Sequence, residues 1–121
     1  MRRAPATTAE TPKMIESELY MLLREENINE FNARRAKDEP CDLAGLDLRG
    51  LNLRGMDVTG VDFTNSYFRQ ADLAGINLSA VSMEGASIGS ANISGTLFPK
   101  ELGPEEIVMS VKFGTRLRYG T

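Results

Sequence analysis

Apolar residues recur with a period of five between residues 41 and 98. The first units of the series read Cys-Asp-Leu-Ala-Gly (41–45), Leu-Asp-Leu-Arg-Gly (46–50) and Leu-Asn-Leu-Arg-Gly (51–55). Eight of the twelve second positions are Asp or Asn, and seven of the twelve fifth positions are Gly. The third position is apolar in all twelve units: Leu43, Leu48, Leu53, Val58, Phe63, Phe68, Leu73, Leu78, Met83, Ile88, Ile93 and Phe98. A period maintained over this length indicates a structural repeat.

The five-residue period predicts a short extended segment followed by a corner. Residues two apart in an extended chain point to the same side, so the first and third positions share one face of each unit. The fifth position turns the corner, which suits Gly and Asn because both tolerate positive φ. A helix is excluded, because apolar spacings of two and three do not form one stripe at 3.6 residues per turn. We therefore expect the first and third columns inside a coiled chain whose successive coils lie about 4.8 Å apart.

These units resemble the pentapeptide-repeat family, whose motif is A-(D/N)-L-x-x. The resemblance implies an all-β solenoid, a right-handed quadrilateral β-helix of about three coils, with N-terminal and C-terminal helical caps. Four units per coil would stack residues twenty apart. The sequence departs from the family's alanine in the first column, where larger residues such as Leu46, Leu51 and Met56 stand.

The sequence predicts four regions, namely the repeat and three segments outside it. Residues 1–13 are polar and lack aromatic residues, which is typical of a disordered tail. Residues 14–40 form the N-terminal helical cap, with one helix from about 13 to 25 and a second from about 29 to 36. The β-helix occupies 41–98. Residues 99–121 form a C-terminal cap with a helix that begins at Gly103-Pro104 and ends at Gly114, followed by a strand or arm.

Composition limits the chemistry that the chain can perform. The 121 residues are enough for one domain, the formal net charge is −3, and the sequence has one cysteine and no histidine. Without histidine there is no imidazole base or ligand, and none to activate Cys41 as a nucleophile. The Asp and Asn column follows the repeat rather than the spacing of a metal loop. We therefore expect no enzymatic activity, no cofactor or metal, no affinity for nucleic acid or membranes, and a cytoplasmic location.

Arginine and tyrosine side chains on the outside of the coil are the candidate partner-binding residues. Tyr67 stands at an outward second position and has arginine neighbours, a composition typical of interaction hot spots. The alternative is that Tyr67 only packs on the stems of those arginines. The C-terminal arm is either a shielded edge or a segment that reaches a partner, and we expect it to remain available. The candidate residues are Tyr67, Arg49, Arg69, Arg54, Arg116, Arg118 and Tyr119.

Two functions fit this sequence. The first is a non-enzymatic scaffold or adaptor that binds another protein, with a homodimer through the C-terminal segment as one form of assembly. The second is a DNA mimic that regulates a type II topoisomerase, a role that the family resemblance implies. Mimicry needs an extended row of carboxylates, whereas Arg49, Arg54 and Arg69 interrupt the acids of this repeat. The sequence therefore favours the scaffold.

Overall fold

A computed structural model of the chain describes residues 17–37 and 41–120. Three helices form within those ranges: α1 (Glu18–Arg24), α2 (Ile28–Arg35) and α3 (Pro104–Phe113). The predicted tail, residues 1–13, lies outside the described residues, as does the start of the helix predicted from about 13. The helices α2 and α3 lie where the sequence places them.

Capping residues set the ends of the helices. The Ser17 hydroxyl accepts a hydrogen bond from the Tyr20 N–H at the start of α1. The Asn27 side chain accepts a hydrogen bond from the Glu30 N–H at the start of α2. Such side-chain oxygens satisfy donors that have no partner within the helix. The two helices then pack against each other.

The start and the end of α3 follow from proline and glycine. Pro104 occupies the first turn, where its missing N–H has no cost. Gly114 ends the helix with a φ of 70°, in the left-handed region, and its N–H donates to the Ser110 carbonyl. A residue with a side chain is disfavoured there, so the glycine fixes the point at which the chain leaves the helix.

The repeat region pairs with itself every twenty residues. Parallel bridges join Asp42 to Asp62 and Asp62 to Ser82, and the same spacing links Asn77 to Leu97. The predicted stacking interval of twenty residues, or four units, is confirmed. We call each such interval a circuit.

The predicted fold class, an all-β solenoid with a right-handed quadrilateral β-helix, is wrong. Within residues 17–37 and 41–120 there are three short helices and no strand, and each pairing is an isolated bridge of one residue. The physical reason is the corner in every unit. Fifth positions such as Gly55, Asn65 and Gly75 have positive φ, which interrupts the extended chain after a few residues. The extended segments are therefore too short for a ladder of consecutive pairs.

The core of the protein is formed by the inward columns of the repeat. Most first-position and third-position side chains are buried, from Leu43 to Ala91. The rings of Phe63 and Phe68 meet edge to face with their centroids 5.2 Å apart. Cys41, predicted to point inward, is half-buried. The assignment of the first and third columns to the interior is thus confirmed.

Side chains of Glu26, in the turn between α1 and α2, and of Asn32 in α2 bond to two N–H groups on the open edge of the first circuit. In later circuits, the N–H of a second position donates to a carbonyl of the preceding circuit. The first circuit has no predecessor, so the Asn52 N–H donates instead to Glu26 at 2.7 Å. The Asp57 N–H donates to the Asn32 side chain at 2.8 Å. These contacts stop the edge from offering backbone donors to another chain.

The C-terminal segment satisfies the opposite edge in the same way. Third-position N–H groups elsewhere donate to a carbonyl of the next circuit. The last circuit has no successor, and the Met83 N–H donates to the Tyr119 hydroxyl at 2.8 Å. The Ile88 N–H donates to the Ser110 hydroxyl at 3.1 Å. Residues of α3 and of the segment after it therefore take the place of a further circuit.

Backbone pairing and a buried leucine hold this segment in place. The Gly85 N–H donates to the Leu117 carbonyl at 2.7 Å, and the Leu117 N–H donates to the Ala86 carbonyl at 2.7 Å. The Leu117 side chain is fully buried. The segment that follows α3 is thus docked on the repeat.

Candidate functional site

A polar groove lies where the end of α1 meets the outside of the repeat. Arg49 and Arg69 occupy equivalent positions in successive circuits, and the Gly50 N–H donates to the Arg69 carbonyl at 2.9 Å. The Arg24 guanidinium borders the groove, with Nη1 3.5 Å from the Asp47 carbonyl oxygen. The groove has a volume of about 400 Å³. We call it the arginine groove; its lining residues are Arg24, Asp47, Arg49, Gly50, Arg69 and Gln70.

Asp47 is buried in the wall of this groove and holds Arg49. Nε of Arg49 lies 2.9 Å from Oδ1 of Asp47, and Nη2 lies 2.9 Å from Oδ2. The hydrogen bonds from Arg49 lower the pKa of Asp47 below its usual value, against the effect of burial. The Tyr20 hydroxyl donates to the Asp47 carbonyl at 2.7 Å, which ties α1 to the same wall. Arg49 therefore has a fixed orientation and a partly neutralised charge.

Asp47→Asn should flatten the dependence of stability on pH in acid. Because the folded pKa of Asp47 is lowered, its contribution is complete above the unfolded pKa and is lost as pH falls through the folded pKa, below about pH 4. Urea melts of the variant and the parent between about pH 2 and 6 measure this difference. Asp42→Asn is the control, because Asp42 accepts the same turn bond, from the Ala44 N–H at 3.0 Å, and has no ion pair within the described residues. Equal pH responses of the two variants would contradict the assignment.

Tyr67 packs against Arg116, a residue of the docked C-terminal segment. The Arg116 guanidinium carbon lies 5.1 Å from the centroid of the Tyr67 ring. Nη2 of Arg116 also donates to the Tyr67 hydroxyl at 2.6 Å, and Nη1 donates to the Gly85 carbonyl at 2.8 Å. The tyrosine is half-buried. The pair joins the docked C-terminal segment to the side of the repeat that carries Arg69.

Arg54 and Arg118, two further predicted site residues, lie in separate ion pairs. Nε of Arg54 is 2.8 Å from Oδ2 of Asp72, and Nε of Arg118 is 3.2 Å from Oε1 of Glu106. The hydrogen bonds from these arginines lower the pKa of Asp72 and of Glu106. Neither arginine lines the arginine groove. The Tyr119 hydroxyl accepts a hydrogen bond from the Met83 N–H in the last circuit. The structure thus brings together Arg49 and Arg69, and separately Tyr67 and Arg116.

A second candidate surface is the outer side of α3. Val108 is 50% exposed, Met109 41% and Phe113 75%. These side chains share a shallow depression of about 390 Å³ with Glu105 and Lys112. We call this surface the α3 stripe; it consists of Glu105, Val108, Met109, Lys112 and Phe113. The inner side of the same helix, with Ile107 and Val111, packs on the core.

Two residues of these surfaces were missed by sequence reasoning. Arg24 ends α1, and only the docking of that helix brings it to the arginine groove. Met109 was not assigned to an exposed face, although it follows Glu105 by four residues, a spacing that places both on one side of a helix.

Two further properties concern metals and membranes. Within residues 17–37 and 41–120, no group of three or more Cys, Asp or Glu side chains is arranged to hold a metal ion. None of the helices in that part of the chain is long and apolar enough to cross a bilayer.

The arrangement defines a repeat protein: five-residue units return to register every twenty residues and are closed by segments from both ends. The family model described as pentapeptide repeats matches this chain in eight copies, over residues 41–65 and 62–98. The chain therefore carries pentapeptide repeats over residues 41–98, as predicted from the sequence. No curated protein and no solved structure shows significant similarity to the chain. The repeats are consistent with a scaffold.

Proposed function

We propose that this protein is a non-enzymatic scaffold that binds another protein, and that it assembles through the α3 stripe. The observation that carries the proposal is the exposure of apolar side chains on one short helix. Of the five large apolar side chains that are exposed in the described residues, Val108, Met109 and Phe113 lie on α3. Clustered apolar exposure of this kind is typical of interaction surfaces.

A second copy of the same chain is the occupant that fits the α3 stripe. Glu105 lies at the N-terminal end of the stripe and Lys112 at the C-terminal end, and neither has an ion pair within the described residues. They are seven residues apart, or about 10 Å along a helix. Two α3 helices that pack antiparallel about a twofold axis place each Glu105 opposite the Lys112 of the other copy.

The size of the stripe indicates a weak dimer. Stable interfaces bury about 1,200–2,000 Å² in total, whereas a ten-residue helix is about 15 Å long and offers a smaller contact. We therefore expect a reversible dimer that forms with rising protein concentration.

Sedimentation velocity over a range of concentrations tests the dimer. Met109→Glu should raise the dimer dissociation constant about tenfold or more, because it places a carboxylate in the apolar contact. Met21→Glu is the matched control: Met21 is also 41% exposed, but it lies on α1. Equal effects of the two substitutions, or a monomer at every concentration, would remove the support for this surface.

Charge exchange tests the antiparallel orientation. Glu105→Lys and Lys112→Glu should each weaken the dimer, because each places like charges opposite each other at both ends of the contact. The double variant Glu105→Lys/Lys112→Glu restores opposite charges and should recover the affinity. Additive losses in the double variant would contradict the antiparallel arrangement.

The alternative role, a DNA mimic that regulates a type II topoisomerase, has less support. Asp47 and Asp72 of the repeat are each paired with an arginine. An extended row of unpaired carboxylates is what such mimicry requires. Inhibition of gyrase supercoiling at low micromolar protein would favour this alternative.

A further inference from the structure

We infer that the arginine groove binds a short carboxylate-rich segment of a partner protein, with Arg69 as its principal contact. This inference rests on the proposed function of the protein as a scaffold, and it assigns a chemical class to the partner. Arg24 and Arg49, which both contact Asp47, line the same groove and complete the contact.

Arg69 is an exposed cation without a counterion. Its guanidinium forms no hydrogen bond or ion pair with any residue in 17–37 or 41–120, whereas the guanidinium groups of Arg49 and Arg54 are both paired with carboxylates. Its backbone lies directly beside that of Arg49 in the neighbouring circuit. Asp47 already neutralises part of the Arg49 charge, so Arg69 is the cation of the groove that is left for a bound carboxylate to pair with.

Arg49 is positioned in advance for a second contact. Nε and Nη2 of Arg49 donate to Asp47, and Nη1 of Arg49 has no partner within the described part of the chain. A guanidinium that is already oriented loses less conformational freedom when it binds an anion. Arg24 approaches from α1, so that three cations and one paired carboxylate line the same groove.

The size of the groove and the charge of the chain favour a short acidic peptide over nucleic acid. A groove of about 400 Å³ has room for a few side chains, whereas nucleic acid requires a longer basic track. The formal net charge of the whole chain is −3, which opposes non-specific attraction of a polyanion. Local complementarity at the groove must therefore supply the affinity.

Fluorescence anisotropy with a labelled oligoglutamate peptide tests the inference. Arg69→Gln should weaken binding about tenfold, because charge-assisted hydrogen bonds to a carboxylate are lost. Lys100→Gln is the matched control, because Lys100 is also exposed and its replacement changes the net charge equally. Gln70→Glu, which adds a carboxylate to the lining of the groove, should weaken binding as well.

Amide chemical shifts locate the binding site. Titration with the same peptide should shift the resonances of Gly50 and Gln70 and leave those of α3 unchanged. Absence of binding by the parent protein, equal losses in Arg69→Gln and Lys100→Gln, or shifts confined to another surface would each overturn the inference. Equal affinity for a single-stranded oligonucleotide would also overturn it. Because dimer formation is measured separately, loss of the dimer with retained peptide binding would disprove only the role of the α3 stripe.

Discussion

Leu73→Ala should lower the free energy of unfolding by about 2–5 kcal/mol, the usual cost of a leucine-sized cavity. Leu73 is 1% exposed and lies in the middle circuit. Its N–H donates to the Asn92 carbonyl at 2.9 Å, and the neighbouring Asp72 N–H donates to the Leu51 carbonyl at 2.9 Å, so circuits on both sides hold the backbone in place. Such a site cannot collapse easily around a missing side chain. Urea melts at neutral pH measure the loss.

Leu97→Ala is the matched control for this prediction. Leu97 belongs to the same repeat but is 56% exposed at an outward second position. Its replacement should change the free energy of unfolding by less than about 0.5 kcal/mol, as is usual for surface positions. Similar losses at the two leucines would mean that the inward and outward columns do not differ in their contribution to stability.

Ending the chain after Thr115 should destabilise the protein by about 3–5 kcal/mol. The truncation exposes the site of the buried Leu117 side chain, which accounts for about 1.5–3 kcal/mol. It also leaves the Gly85 and Met83 N–H groups without their partners in the C-terminal segment, at about 1 kcal/mol or more each. Thermal and urea melts of the truncated chain provide the measurement.

Arg118→Gln separates the docking of the segment from its charge. The Arg118 side chain is 76% exposed, so solvent reaches its guanidinium, although the Glu106 side chain is only 16% exposed. Exposed ion pairs contribute about 0–1 kcal/mol, so this variant should remain close to the parent. A truncated chain as stable as Arg118→Gln would show that the segment is not part of the folded body.

The sequence predicted the register of the repeat but not its secondary structure. The five-residue period identifies the inward columns, and the interval of twenty follows from the four units per circuit that the family resemblance implies. The same period led to an incorrect assignment of strands, because alternation of side chains looks alike in a strand and in a two-residue or three-residue extended segment. The positive φ at corners such as Gly55 and Asn65 shows that the segments are short extended pieces and not strands.

The two ends of the chain were predicted less well than the repeat. The alternation of Arg116, Leu117 and Arg118 was interpreted as an arm that remains available, and this was wrong, because the segment is docked on the repeat through Leu117. The deciding fact is that the N–H groups of the last circuit lack a following circuit, and this is a property of the fold as a whole. Arg24 was missed for a similar reason, since its position at the arginine groove depends on how α1 docks.

The return of the chain every twenty residues also governs how such a protein can change in length. Insertion of a complete circuit would move α3 about 4.8 Å further from α1 and preserve its direction. Insertion of a single five-residue unit would instead carry α3 to the adjacent side of the body and reorient the α3 stripe relative to the arginine groove. Gain or loss of units therefore sets the orientation of the α3 stripe relative to the arginine groove.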